Sequence, residues 1–395
     1  METGHPPSSI LVAPKQSEGG LHPRRVLVRS TNWLGDAVMT TPALLRLREK
    51  FPDAYVTLLT PEKLRDLWLH HPAVNETISF APGESVFSTG KKLRSGKFDL
   101  ALVLPNSPRS ALEVWLAGIP QRIGYARPWR NFFMTSAVAS RFDSVTMRKL
   151  SVAEIRRRTG VAPVSNRIKN KLETGRMPVL PSNAHQIHEY LHLVAVLGAN
   201  LELLPPQLVV TPDEIEAAKR KFGLDKITQP IFGLNPGAEY GPAKRWPVEK
   251  FIAAAKKIQQ HTNCVWLIFG VKGDLALTGQ IAAALHASRL TFHDLSGKTS
   301  LRELMALLKL CRVLLTNDSG PMHVAAALGI PVVVPFGSTS PELTGPGLPG
   351  DARHQLLKSD APCSPCFLRE CPIDFRCLNG ISVERVVEAV LEFKL

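Results

Sequence analysis

No apolar run among the 395 residues approaches the roughly 18 that a membrane-spanning helix needs, which argues against a transmembrane helix. The N-terminus also lacks the form of a secretory signal. Residues 1–22 offer only Ile10-Leu11-Val12-Ala13 as an apolar stretch, set among Pro, Ser and Gly, and read as a loose tail. A cytoplasmic location is therefore expected. No G-x-G-x-x-G follows the first strand-like segment, which disfavours a dinucleotide oxidoreductase. There is no short-period repeat and no recognised nucleic-acid module.

What is present is ample material for a core. Hydrophobic residues make up 44% of the chain and charged residues 21%, a globular balance over a length that suits two domains. The formal net charge is +14, and it is unevenly placed. Residues 1–185 hold 27 Lys and Arg against 14 Asp and Glu, while residues 186–395 hold 21 against 20. A basic first half points to an anionic partner such as nucleic acid, a membrane surface or an acidic substrate; a merely solvated basic surface is the plain alternative.

Short apolar runs alternate with helical periodicity. Arg25–Ser30, Tyr55–Leu59 and Asp99–Leu104 read as buried strands. Ala37–Lys50, Pro61–Leu69 and Ser110–Ala117 carry helical spacing. Residues 120–180 read as irregular and rich in Arg. Ala184–Leu197 is helical, and Leu204-Pro205-Pro206 ends that pattern. The second half repeats the alternation, with strand cores at Ile231–Leu234, Val265–Phe269, Val313–Thr316 and Val332–Pro335. Helices are expected at 212–223, 248–260, 275–286, 300–309, 321–328 and 382–391. Strands alternating with helices imply parallel sheets, so the expected class is α/β, with two Rossmann-like halves facing one cleft. Ligands in such sheets bind beyond the carboxyl ends of the strands.

Three loops sit at such ends. In Ser30-Thr-Asn-Trp-Leu-Gly-Asp36, Gly35 permits a tight turn, and Asp36 is either an N-cap or a general base. In Asn235-Pro-Gly-Ala-Glu-Tyr-Gly-Pro-Ala-Lys-Arg-Trp-Pro247, Lys244 or Arg245 suits a phosphate; an ordinary surface cation pair is the alternative. In Thr316-Asn-Asp-Ser-Gly-Pro-Met-His323, Asp318 and Ser319 are good capping residues and Pro321 stands near the first helical position. The free N–H groups of such a terminus attract anions, and His323 adds a donor. No carboxylate pair with metal-ligand spacing stands beside this loop. Cys264 and Cys311 read as buried packing. Cys363, Cys366, Cys371 and Cys377 cluster among prolines, where a structural zinc competes with plain packing; the gap between the second and third is short for two knuckles.

At these loops the sequence resembles the ADP-heptose:lipopolysaccharide heptosyltransferases of glycosyltransferase family 9, most closely the heptosyltransferase II branch. Asn32–Met39 (NWLGDAVM) with Thr41–Leu44 (TPAL) carries it, as do Asn235–Ala238 (NPGA) with Lys244–Pro247 (KRWP) and Asn317–Pro341. The resemblance spans about residues 24–392. It implies a GT-B fold, with the acceptor on the first domain and the ADP-sugar on the second. It implies inverting transfer of L-glycero-D-manno-heptose from ADP-heptose to the lipopolysaccharide inner core, with the ADP-sugar as substrate and no cofactor required. Position by position, Asp36 matches the family's proposed base and Lys244 its phosphate-contacting lysine. Asp318, Ser319, Gly320 and His323 match its donor-binding turn, which Asn235 and Gly237 join from the second stretch. Gly270–Asp274 and Ser296–Leu301 fall where the nucleoside is held, which brings Gly270 and Asp274 into the donor set.

The expected layout is a tail over 1–22, an acceptor domain over 23–183, an interdomain helix and linker over 184–205, and a nucleotide-sugar domain over 206–395. Arg122, Arg127, Arg130, Arg141, Arg148, Lys149 and Arg156–Arg158 crowd one stretch of the first half, with Trp129, Phe132 and Phe133 among them. Cations and aromatic rings together favour an anionic membrane interface. The expected site of action is peripheral, at the cytoplasmic face of the inner membrane, with no nucleic acid involved. On residues alone, two rivals stand: a transferase of another nucleotide-linked sugar, and an anionic-polymer or nucleic-acid binding protein.

Overall fold

A computed structural model describes residues 21–161 and 183–393. Most of the expected tail and residues 162–182 lie outside the described residues. The first half runs β1 (Arg25–Arg29), α1 (Leu34–Met39), α2 (Thr41–Lys50), β2 (Tyr55–Pro61), β3 (Glu76–Phe80), α3 (Val86–Arg94), β4 (Leu100–Val103), α4 (Pro108–Leu116), β5 (Gln121–Tyr125), β6 (Ser136–Val138), α5 (Val152–Thr159) and α6 (Ile187–Ala195). The second half runs α7 (Pro212–Lys221), β7 (Ile231–Asn235), α8 (Val248–Thr262), β8 (Val265–Ile268), α9 (Leu275–Ala287), β9 (Phe292–Asp294), α10 (Leu301–Leu308), β10 (Leu314–Thr316), α11 (Gly320–Ala327), β11 (Val332–Pro335), α12 (Pro341–Thr344), β12 (Gln355–Leu357), α13 (Arg376–Asn379) and α14 (Val383–Leu391).

Two six-stranded sheets result, in the orders β3-β2-β1-β4-β5-β6 and β12-β11-β10-β7-β8-β9. Both read third, second, first, fourth, fifth, sixth within their own half, and all their pairings are parallel. The α/β class and the doubly wound halves expected from the sequence are what the chain forms. In each sheet the order reverses between the first and fourth strands, so crevices open beyond β1/β4 and β7/β10. The three expected loops leave β1, β7 and β10, at those two switch points.

The strands are continuous apolar runs because helices cover both faces. Val26, Leu27, Val28 and Leu100 to Val103 are all fully buried. Leu27, Leu59, Ala101 and Val114 pack on one face of the first sheet. Val28, Leu58 and Leu102 on the other face join a core that continues through Val38 and Leu191 to Met322, Leu314 and Val334. One apolar core thus passes from sheet to sheet.

The passage is the crossing of α1 with α11. A Cβ on Gly35 would lie 2.6 Å from His323 Cδ2, and one on Gly320 would lie 2.8 Å from Leu34 Cδ2. Each helix gives up a side chain where the other inserts one, so the two backbones approach closely.

Several expectations change. The stretch read as irregular holds β5, β6 and α5. It was hard to read because β5 opens on Gln and Arg and β6 is a three-residue edge strand. Pro61–Leu69 is a 3-10 turn over Glu62–Trp68 rather than an α-helix. β3, β9 and β12 are half-buried edge elements without a marked apolar pattern.

The basic face is also thinner than expected. Arg130 is fully buried and donates to the Pro105 carbonyl. Arg122 donates to the Phe133 carbonyl. Arg141 pairs with Asp143 and Glu189, and Arg148 with Glu154. A guanidinium carries five donors and is readily taken up by loop carbonyls and nearby carboxylates. Arg148, though paired, stays exposed, as do Lys149 and Arg156–Arg158, Trp129 at 90% and Phe132 at 82%.

Candidate active site

The first loop is anchored from below. Arg29, at the end of β1, is buried against Glu113 with a 2.8 Å ion pair. Its Nη1 donates to the Ser30 carbonyl at 2.6 Å and to Asn32 Oδ1 at 3.0 Å. A guanidinium so engaged fixes the backbone that leads into α1.

Trp33 occupies the N-cap of α1, Asp36 is the third residue of the helix's first turn, and no side chain caps this terminus. The capping alternative for Asp36 therefore falls away. Its carboxylate accepts no hydrogen bond among the described residues. Burial pushes its pKa up to about 6, the nearby Lys244 opposes that shift, and Asp318 adds to it. A carboxylate in this state is ionised at neutral pH yet basic enough to take a proton.

The other two loops are knitted together. Asn235 donates to Thr316 Oγ1 at 3.0 Å and to Ser319 Oγ at 3.2 Å. Asn317 donates to the Pro236 carbonyl and accepts from the Trp246 N–H. Lys244 closes a 3-10 turn and places Nζ 2.6 Å from Asp318 Oδ2 and 4.9 Å from the centre of the Tyr240 ring. Thr339 donates to the same Asp318 oxygen.

Neither Asp318 nor Ser319 caps α11 with its side chain, contrary to the expectation drawn from sequence. Both are already engaged, one by Lys244 and Thr339, the other by Asn235. The first turn of α11 therefore keeps its N–H groups free of side-chain caps, which suits an anion. His323 is buried in that turn, and burial pushes its pKa down to about 4. It is a neutral imidazole at pH 7, able to donate one hydrogen bond.

Asp36, Lys244, Asp318, Gly320 and His323 are thus gathered at the crossing, with Asn235 and Ser319 bracing them. Gly237, Gly270 and Asp274 form a neighbouring group. A Cβ on Gly237 would collide with the Asp274 carboxylate at 2.2 Å. Asp274 accepts from the Val271 N–H and faces Arg245 at 3.5 Å. Ser296 Oγ, 3.5 Å from where a Gly270 Cβ would stand, is buried without a hydrogen-bond partner among the described residues.

Sequence reasoning missed four contributors: Thr339, Tyr240, the Arg29–Glu113 pair and Tyr190. Tyr190, buried on α6, has its phenol pKa raised well above normal by burial first and by Asp36 next. Tyr240 and Thr339 stood inside the quoted stretches, and only their partners were invisible.

The cysteine cluster packs against the loop that carries Tyr240 and Lys244: the Tyr240 hydroxyl donates to the Phe367 carbonyl at 2.6 Å, and the Cys366 N–H donates to the Ser338 carbonyl beside Thr339. Cys363 and Cys366 are buried with Leu150 and Ile155, and burial together with Cys363, Cys366 and Cys371 pushes Cys377 up to about 12. Among the described residues no group of three or more His, Cys, Asp or Glu is arranged to hold a metal ion. Cys264 and Cys311 are buried in the core.

A family model for glycosyltransferase family 9 (heptosyltransferase) matches residues 86–155 and 150–375. The lipopolysaccharide heptosyltransferase 2 of Escherichia coli K12 is 31% identical over 359 residues, 85% of this chain and 91% of that protein. The chain belongs to glycosyltransferase family 9. Lipooligosaccharide heptosyltransferase 2 of Haemophilus ducreyi is 30% identical over 82% of this chain and 86% of its own length. The solved structure of E. coli ADP-heptose lps heptosyltransferase II superposes with a TM-score of 0.71 at 28% identity, covering 93% of this chain and 98% of that one. A family 9 glycosyl transferase from Veillonella parvula superposes at 0.72 with 22% identity, a likeness of fold. This family 9 chain is therefore a glycosyltransferase with the GT-B arrangement, and its two switch-point crevices face each other at the α1–α11 crossing.

The raised pKa of Asp36 has a stability consequence. The folded state holds the proton more tightly than the unfolded chain, so folding is disfavoured above the unfolded pKa and this cost is complete above the folded one. Asp36→Asn is expected to stabilise the fold at pH 7 by about 1–3 kcal/mol and to lose most of that gain near pH 4. Urea unfolding at both pH values checks this; equal stability of the two proteins at pH 7 would contradict it.

Proposed function

We propose that this glycosyltransferase moves L-glycero-D-manno-heptose from ADP-heptose to the inner core of lipopolysaccharide, with inversion at the anomeric carbon. The observation that carries the reading is Asp36: a carboxylate with no hydrogen-bond partner among the described residues and a pKa near 6, on the first sheet's side of a crossing whose other side presents Lys244 and His323. An acceptor hydroxyl attacks the anomeric carbon from the face opposite ADP. Its proton passes to Asp36 as the new C–O bond forms. The bond to the β-phosphate oxygen breaks, and ADP departs with the electron pair.

Charge develops on the departing diphosphate. Lys244, the His323 N–H and the uncapped turn of α11 supply fixed positive potential there. Asp318, the carboxylate that acts on Asp36 among the described residues, is held by Lys244 and Thr339. That leaves it poorly placed to form a covalent sugar intermediate and favours a single displacement. The nucleoside falls to the Gly237, Gly270, Asp274 and Ser296 group.

We also infer a peripheral attachment to anionic membrane at the cytoplasmic face of the inner membrane. Trp115, Phe133 and Phe132 form a chain of edge-on rings at 5.7 and 5.5 Å, with Phe132 and Trp129 open to solvent. The exposed Lys149 and Arg156–Arg158 supply headgroup attraction at about 1 kcal/mol each.

Asp36→Asn is expected to lower turnover by roughly 10²–10⁴-fold and to leave ADP affinity little changed, read by mass spectrometry of heptose-deficient core after incubation with ADP-heptose. A variant retaining more than about half the wild-type rate would remove Asp36 from the chemistry.

Vesicles of phosphatidylethanolamine and phosphatidylglycerol should sediment the wild-type protein at low salt and release it at high salt. Replacing Trp129 and Phe132 by Ser should weaken that binding. No binding at low ionic strength would end the attachment.

A further inference from the structure

Trp33 is a large apolar ring left 46% exposed in a loop otherwise held firmly in place. Its surroundings explain why it is not buried. α1 docks on α11 through Leu34 and Gly35, which face Gly320 and His323. Trp33 precedes α1 as its N-cap, in extended backbone, and stands three residues before Asp36 at the start of the same helix.

The ring is also placed between the two halves. Lys63 Nζ lies 5.3 Å from the centre of the Trp33 ring and 3.2 Å from Glu239 Oε1 on the loop after β7. The indole N–H of Trp33 has no acceptor among the described residues. In contrast, those of Trp246 and Trp266 donate to backbone carbonyls.

A half-exposed indole, with Lys63 against the ring and a carboxylate base three residues on, fits one class of ligand well. A pyranose presents a face of C–H groups with slight positive charge to the negative face of the indole, while its hydroxyls stay free at the rim. We propose that Trp33 is the stacking platform for the acceptor's terminal sugar ring, setting the reacting hydroxyl over Asp36. The proposal rests on the assigned transfer to a sugar acceptor. The acceptor, rather than the nucleotide, is the occupant because Trp33 belongs to the first sheet's loop, whereas the candidate diphosphate groups belong to the second.

Steady-state kinetics of Trp33→Leu and Trp33→Phe with ADP-heptose and heptose-deficient core test this. The acceptor KM should rise about tenfold in Trp33→Leu, the scale of an aromatic stacking contact. It should stay within about threefold in Trp33→Phe, which keeps a ring. ADP affinity by calorimetry should match wild type in both. Addition of core acceptor should perturb tryptophan fluorescence clearly less in Trp33→Phe than in the wild type, a difference that a merely structural Trp33 would not give. Glu239→Gln, which releases Lys63 but leaves the ring, should keep the wild-type acceptor KM.

An active wild type whose acceptor KM is unaltered in Trp33→Leu would overturn the platform and spare the assigned function. A loss of ADP affinity in Trp33→Leu would make the ring a nucleotide contact instead. Reproduction of the acceptor defect by Glu239→Gln would assign the effect to the bridge between the halves. A wild type that transfers nothing to this acceptor would sink the assigned function itself.

Discussion

The close approach of α1 and α11 is the contact on which the site depends. Two glycines make it: Gly35 leaves room for the His323 ring, and Gly320 leaves room for Leu34. A side chain at either position would have to displace the His323 ring or Leu34, or part the helices. Because each helix starts at the switch point of its own sheet, the crossing brings the crevice of one half onto the crevice of the other. It also lets one apolar core run through both halves, so the sheets are held by packing and not only by surface ion pairs, which are individually weak.

The electrostatics follow from that geometry. Asp36 comes from one half, and Lys244 and Asp318 from the other. Burial at the crossing makes the Asp36 carboxylate costly to ionise, Asp318 adds to the cost, and Lys244 relieves it in part. These opposing influences leave the group near pH 6, a useful range for a base at neutral pH. Lys244 is held by Asp318 before any substrate arrives, and Thr339 and Tyr240 hold the pair in turn. A cation fixed in advance needs little reorganisation when a diphosphate leaves. The same burial keeps His323 neutral, so it donates a hydrogen bond without adding a second charge.

The parts of this legible in the sequence were the local ones. Strand cores such as Val26–Val28 and Val332–Val334 announced themselves as unbroken apolar runs, and the helices after them by their spacing. The turn from Asn317 to His323 was recognisable because Gly and Pro punctuate a strand end. What could not be read were pairings between distant positions: Arg29 with Glu113, Lys244 with Asp318, Gly35 with His323. Short edge strands such as Ser136–Val138 carry too few apolar residues to stand out. The arginines between Arg122 and Arg148 looked like a surface because charge is visible in sequence, whereas the carbonyls and carboxylates that absorb it are not. The capping roles assigned to Asp318 and Ser319 were plausible for an isolated helix. They failed because tertiary partners claimed both side chains first.

The most direct test is the turnover of Gly35→Ala beside that of Gly279→Ala. The second glycine has open space around its Cβ position, so alanine there should be harmless. At Gly35 the added methyl must displace His323 or α1, and a shift of about 1 Å between base and leaving group costs on the order of 10²-fold in rate. The expected result is a loss of at least about tenfold for Gly35→Ala with wild-type turnover for Gly279→Ala. Wild-type turnover in Gly35→Ala would show that the crossing does not set the geometry of the reaction.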